Sequence, residues 1–215
     1  WARIMRYWQH GGGENIKNLL TFAATEYLDL RLPKPAKPKE YPEFGIFDPL
    51  SGRSFASLEA YRQQAGFDPG TPTIGLLFYG GMHFSQSLVP ARAFAKRFRA
   101  MGMNVVPVFS TAGNNLKAIQ SYFLLDAETK IDAAIYFQWF QLTTFAGASG
   151  KTSIELLKQL DAPVFSACPM YGREIQKWEE CDQGLSPIEA LTTIILPELD
   201  GMIEPLPTAG LVEKD

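Results

Sequence analysis

Cysteine and histidine are nearly absent, two of each in 215 residues. Cys168 and Cys181 are too few for a disulfide framework and too far apart for a Cys-x-x-Cys redox or zinc pair, which sets aside a stapled secreted scaffold and fits a reducing compartment. A dominant charge is missing as well: 20 Lys and Arg stand against 23 Asp and Glu, a net charge of −3. Nothing global recruits nucleic acid or an anionic membrane, and neither is expected as a partner. No apolar run reaches the roughly 18 residues of a membrane span. No signal-peptide pattern opens the chain, so the expected location is the cytoplasm. The first residue is Trp1 rather than Met, which reads as a processed product or an internal piece of something longer.

What is present is an ordinary globular composition, 46% hydrophobic and 20% charged, enough for one substantial core. Four apolar, β-branched or aromatic runs, Thr73–Tyr79, Asn104–Phe109, Ala133–Trp139 and Pro163–Cys168, are separated by stretches of helical character. Continuous apolar runs mark strands buried on both faces, and alternation with helices makes parallel units. The fold class is therefore α/β: an open, mostly parallel, Rossmann-like sheet flanked by helices. Such sheets bind ligands beyond the carboxyl ends of their strands, here the loops Gly80–Ser87, Ser110–Asn115, Gln138–Lys151 and Pro169–Arg173.

The organisation expected is an N-terminal helical segment (1–32), a Pro- and Lys-rich linker with an irregular stretch (33–53), and the α/β domain (54–215). Ile16, Leu19, Leu20, Ala23 and Tyr27 give the first segment its helical spacing, after a break at Gly11–Gly13. Prolines at 33, 35 and 38 favour extended, solvated chain. In the α/β domain, Ala91, Phe94, Ala95, Phe98 and Met101 form one helix face and Gly102 ends that helix. Thr152 with Glu155, and Ser186 with Pro187 and Glu189, fit capping boxes. Leu156, Leu157 and Leu160 should be buried in the first of these helices, and Ile188, Leu191 and Ile194 or Ile195 in the second.

Gly147–Thr152 follows a strand and opens a helix, the context of a phosphate loop, but the required glycine five residues before Gly-Lys-Thr is Phe145. A glycine-rich turn is the simpler reading. Gly80 and Gly81 would let a ligand approach closely, with His83 behind them able to bind metal, move a proton or contact a carboxylate; a half-exposed loop histidine is the plain alternative. Glu198, Asp200 and Glu204 could hold a hard divalent cation or form a solvated loop. Gln138, Trp139 and Phe140 belong to an aromatic run that packs a core or offers a flat ligand stacking surfaces and donors.

These residues fall into an ordered series that resembles a known family. Ile135-Tyr136-Phe137-Gln138 leads to Leu142-Thr143-Thr144-Phe145. Leu157 to Val164, Trp178 followed by Gly184-Leu185-Ser186-Pro187, and Leu196-Pro197-Glu198-Leu199-Asp200-Gly201-Met202-Ile203-Glu204-Pro205 come next. Upstream, Gly12-Gly13-Glu14-Asn15, Gly45-Ile46-Phe47-Asp48-Pro49, Ile74 to Tyr79 and Val105 to Phe109 keep the same order. The series is similar to the large subunits of cobaltochelatase and magnesium chelatase. The resemblance implies an internal piece of a tetrapyrrole-binding subunit, with Co²⁺ or Mg²⁺ as substrate and cobalt in a corrin preferred. It also implies partners: the remainder of the same subunit and separate AAA+ subunits that bind and hydrolyse ATP.

Metal insertion must remove two pyrrole protons and strip water from the ion. Under the resemblance Glu198, Asp200 and His83 are the catalytic candidates; Glu198, Asp200 and Glu204 the metal candidates; and Gly80, Gly81, His83, Gln138, Trp139 and Phe140 the substrate contacts. Where family members commonly carry Arg-Ser before His or Tyr, this chain has Gly80-Gly81-Met82-His83. Two other readings stay open: a non-catalytic α/β module for a flat ligand, and a nucleotide-dependent enzyme using the 147–152 loop.

Overall fold

The structure is a computed structural model describing residues 1–80, 85–111, 113–126, 128–144, 146–202 and 204–212, without the side chains of 85–87. His83 and Gly81 therefore lie outside the described residues, as does Phe145. Chain contacts divide the molecule into two compact units, Trp1–Pro42 and Glu43–Asp215.

In the first unit, α1 (Ala2–His10) and α2 (Gly12–Tyr27) meet at Gly11 (φ 59°), in the left-handed region that suits glycine. The proline-rich stretch is extended, but it is no free linker. Asn15 pairs with both backbone groups of Lys39, donating to its carbonyl at 2.7 Å and accepting from its N–H at 2.8 Å. Asn18 Oδ1 accepts from Ala36 N at 2.8 Å, and the Tyr7 hydroxyl donates to the Ala36 carbonyl. Extended backbone offers unpaired N–H and C=O groups, and amide side chains on the helices take them up. Composition signals the extension but not this docking.

The second unit begins within the stretch expected to be irregular. Strands β1 (Phe44–Asp48) and β2 (Arg53–Phe55) form a hairpin, and α3 (Leu58–Ala65) follows, capped by the Ser57 hydroxyl. Then come β3 (Thr73–Tyr79), α4 (Ser85–Ala100), β4 (Asn104–Ser110), α5 (Asn115–Tyr122), a small ribbon of β5 (Leu124–Leu125) and β6 (Glu128–Thr129), β7 (Ala133–Phe137), α6 (Gly150–Leu160) and β8 (Val164–Glu174). The chain ends with α7 (Ile175–Glu179), α8 (Pro187–Ala190), a π-helical turn over Leu191–Ile195, α9 (Leu196–Leu199) and β9 (Leu206–Leu211).

The sheet order is β2-β1-β4-β3-β7-β8-β9, with β4, β3, β7, β8 and β9 parallel and β1 antiparallel to its neighbours. In order of appearance the parallel strands run 2-1-3-4-5. The switch point of such a doubly wound sheet lies between the first and third of them, here β3 and β7. Strand alternation buries both faces, as continuous apolar runs require. Leu77, Val106, Val108, Ala134 and Tyr136 face α5 and α6, while Leu76, Phe78, Val105, Phe109, Ile135 and Phe137 face α4.

Two local expectations fail. The Thr152 capping box does not form, because α6 starts at Gly150 after Ser149. The box at Ser186 does form, with both reciprocal hydrogen bonds. Beyond it, however, the helix buries its polar side. Glu189, Thr192, Thr193, Pro197 and Asp200 face inward, and Ile188, Leu191, Ile195 and Leu199 are exposed, Ile188 at 62%. On the inward side Glu189 is fully engaged: its carboxylate accepts from Arg173 Nε at 3.0 Å, from Arg173 Nη2 and from Ser186 N at 2.7 Å. The π turn that follows lets Thr192 and Thr193 donate back to carbonyls of the preceding turn.

Candidate functional site

The parallel register pairs Phe78 with Phe137 at the end of β7, so that the segment after Phe137 and the end of β3 leave the same edge of the sheet. Sequence-distant candidates are thus brought to the switch point. Gly80 (φ 96°) leaves β3 in a conformation that side chains resist, and its N–H donates to the Ser110 carbonyl at 3.0 Å, tying the ends of β3 and β4 together.

On the other side of the switch point the chain turns sharply after Gln138. Phe140 has φ 68°, rare for an aromatic residue. The Tyr136 hydroxyl holds it, donating to the Phe140 carbonyl at 3.1 Å. Burial and the negative charge of Asp200 raise the Tyr136 phenol well above its ordinary range, so it stays a neutral donor. Phe140 is 38% exposed and its ring lies 5.6 Å from that of Trp139. Tyr171 meets Trp139 edge-on at 5.5 Å between centroids. Tyr171 was missed because Pro169–Arg173 was expected as a loop, whereas β8 continues irregularly to Glu174, pairing there with β9.

Gln138 is 4% exposed, yet among the described residues its Nε2 has no hydrogen-bond partner, and neither do Trp139 Nε1 and Asn115 Oδ1. Asn115 opens α5 behind the β4 loop, and its Nδ2 donates to the Leu142 carbonyl at 3.4 Å. Buried polar atoms without partners are few in native proteins and call for a reason.

The carboxylate trio is not brought together. Glu198 and Glu204 are exposed, while Asp200 is fully buried. Asp200 accepts from Thr143 N at 3.0 Å, Thr143 Oγ1 at 2.9 Å and Ser153 Oγ at 2.8 Å. Its oxygens are engaged in fastening the 142–144 turn to the first turn of α6, a role that the spacing of the carboxylates did not suggest. Among the described residues, no group of three or more His, Cys, Asp or Glu is placed to hold a metal ion.

The same contacts explain the phosphate-loop look-alike. A Cβ on Gly150 would sit 2.3 Å from the Leu199 carbonyl oxygen and 3.5 Å from Asp200 Oδ1. The glycine is there so that the 199–200 turn can press onto the start of α6. A helix N-terminus favours an anion, and Asp200 lies beside this one, accepting from Ser153 Oγ at 2.8 Å.

The four loops themselves, 80–87, 110–115, 138–151 and 169–173, contain no Asp or Glu. What these loops carry is aromatic surface, neutral polar groups and the side chains of His83, Lys151 and Arg173, a set suited to holding a flat ligand.

Comparison with known proteins shows the family. The family described as CobN/Magnesium Chelatase matches residues 5–215. A magnesium-chelatase protein from Cereibacter sphaeroides is 29% identical over 215 residues, covering 98% of this chain and 18% of the relative. The CobN protein of an aerobic cobaltochelatase from Sinorhizobium is 28% identical, covering 94% of this chain and 16% of the relative. The catalytic subunit of cobaltochelatase from Mycobacterium tuberculosis has a similar fold, with TM-score 0.57 and 19% identity over 94% of this chain and 16% of that one. The chain therefore spans less than a fifth of the length of these relatives. With the ordered motifs, the doubly wound sheet and a family match over nearly every residue in agreement, the chain belongs to the CobN/magnesium chelatase family.

Proposed function

We propose that this chain is a ring-holding segment of the large subunit of an ATP-dependent metal chelatase, which inserts a divalent ion into a tetrapyrrole. The observation that carries the reading is the aromatic cluster of Trp139, Phe140 and Tyr171 at the carboxyl edge of the sheet, next in sequence to Gln138, whose Nε2 has no partner among the described residues. The macrocycle lies against the aromatic surface. Carboxylates that take the pyrrole protons and deliver the ion come from elsewhere in the assembly, since the crevice loops have none. His83 is the one imidazole in those loops and remains the proposed proton acceptor or metal contact of this segment.

ATP is bound by AAA+ partner subunits, a reading supported by the carboxylate of Asp200 beside the N-terminus of α6. Relatives named for magnesium and for cobalt match at nearly equal identity, so the preference for cobalt in a corrin, with magnesium in protoporphyrin second, rests on the sequence reading alone. No helix among the described residues is long and apolar enough to cross a membrane, and cytoplasmic action is proposed.

The test is titration of the purified chain with protoporphyrin IX, with cobyrinic acid as the corrin, and with Mg·ATP, followed by tryptophan fluorescence. Quenching by one of the rings, lost in Trp139→Ala, is the expected result. A response to Mg·ATP alone overturns the reading.

A further inference from the structure

Four buried side-chain polar atoms lack partners among the described residues, and three of them, Gln138 Nε2, Trp139 Nε1 and Asn115 Oδ1, belong to the segments that follow β7 and β4. Random imperfections of packing would not collect at the carboxyl edge of one sheet. Gln138 is 96% buried and follows directly on Phe137, whose register partner Phe78 lies on the other side of the switch point. Tyr136 Oη and Phe140 hold the backbone of this turn, so its conformation does not depend on the Gln138 amide or the Trp139 indole finding a bond. Burying an N–H without an acceptor is costly. Two such donors on consecutive residues at a ligand-binding edge are preorganised for an acceptor brought from outside.

We infer that Gln138 Nε2 and Trp139 Nε1 are the donors that recognise an oxygen acceptor, a carboxylate or carbonyl, on the rim of the flat ligand held in the crevice. The inference rests on the functional reading above and adds to it which atoms of the ligand are read. The crevice loops carry no carboxylate to repel an acidic rim. Lys151, exposed in the first turn of α6 and without an ion-pair partner among the described residues, adds one positive charge to the loop that carries both donors. Recognition of the rim orients the macrocycle in its own plane, which stacking on Trp139 and Phe140 cannot do, because an aromatic face tolerates rotation of its partner.

The test compares mesoporphyrin IX with etioporphyrin, the same ring bearing alkyl groups in place of the propionates. Binding is followed by the Soret absorbance, so that loss of an indole does not alter the signal. The wild type is expected to bind mesoporphyrin roughly tenfold or more tightly than etioporphyrin, and Gln138→Leu and Trp139→Phe each to remove most of that difference, read as the ratio of the two affinities within each variant. Gln138→Leu should not lower the melting temperature, because the Nε2 it removes has no partner among the described residues.

Equal binding of the two porphyrins by the wild type overturns the inference. So do variants that keep the wild-type selectivity and melt earlier, which would give both donors to structural water. Binding of the corrin alone removes this inference and leaves the functional reading in place; binding of no ring removes both.

Discussion

Replacing Asp200 with alanine tests the reading that the C-terminal block fastens the crevice loop and does not bind metal. The carboxylate is fully buried and accepts from one backbone N–H and two hydroxyls. Ser153 Oγ keeps a partner after the change, because it also donates to the Gly150 carbonyl at 2.8 Å. Thr143 N and Thr143 Oγ1 do not. Each donor left buried and unpaired costs about 1–3 kcal/mol, and losing the negative charge at the start of α6 adds roughly 0.3–1 kcal/mol. The expected loss is about 3–4 kcal/mol, near the upper end for a single substitution. At roughly 2–4 °C per kcal/mol for a domain of this size, the melting temperature followed by circular dichroism should fall by roughly 10 °C.

Asp200→Asn separates the charge from the acceptors. It retains one oxygen but turns an NH₂ toward donors that need an acceptor, so it should lie between wild type and Asp200→Ala. Formate should restore part of the stability of Asp200→Ala by entering the vacated position. A change under about 2 °C in Asp200→Ala would refute the clamp and return Asp200 to the list of free carboxylates.

Gly150→Ala should destabilise the protein by about 1–3 kcal/mol, through overpacking against the Leu199 carbonyl; in an unencumbered helix the same change stabilises, so the sign of the shift in denaturant midpoint decides the matter. Arg173 holds the Glu189 carboxyl down from 4.5 to about 2, so the stability from this pair is complete above the unfolded-state value and is lost as pH falls through the folded one. Acid titration of the melting temperature between about pH 5 and pH 2 should therefore show a steeper fall in wild type than in Glu189→Gln, and parallel curves would remove the ion pair as a source of that stability.

The sequence determined the sheet. Runs such as Thr73–Tyr79 are apolar at successive positions, which only a strand buried on both faces tolerates, and that pattern is local enough to read without coordinates. It also determined the Ser186 cap, where every participant lies within four residues, and the candidate residues at Gly80 and Gln138–Phe140. Strand order, by contrast, is a choice among long-range pairings. Only the tertiary structure set β7 beside β3 and so made one switch point out of two loops nearly sixty residues apart.

The same limit hid the work of Asp200. Its partners, Thr143 and Ser153, are 57 and 47 residues away, and spacing within Pro197–Glu204 suggested a cation site because neighbouring carboxylates look alike until burial distinguishes them. The helix after Ser186 was misjudged for a related reason. Hydrophobic periodicity assumes that apolar area decides which face turns inward, whereas here the inward face carries Glu189 paired with Arg173, a partner outside the helix that periodicity cannot see.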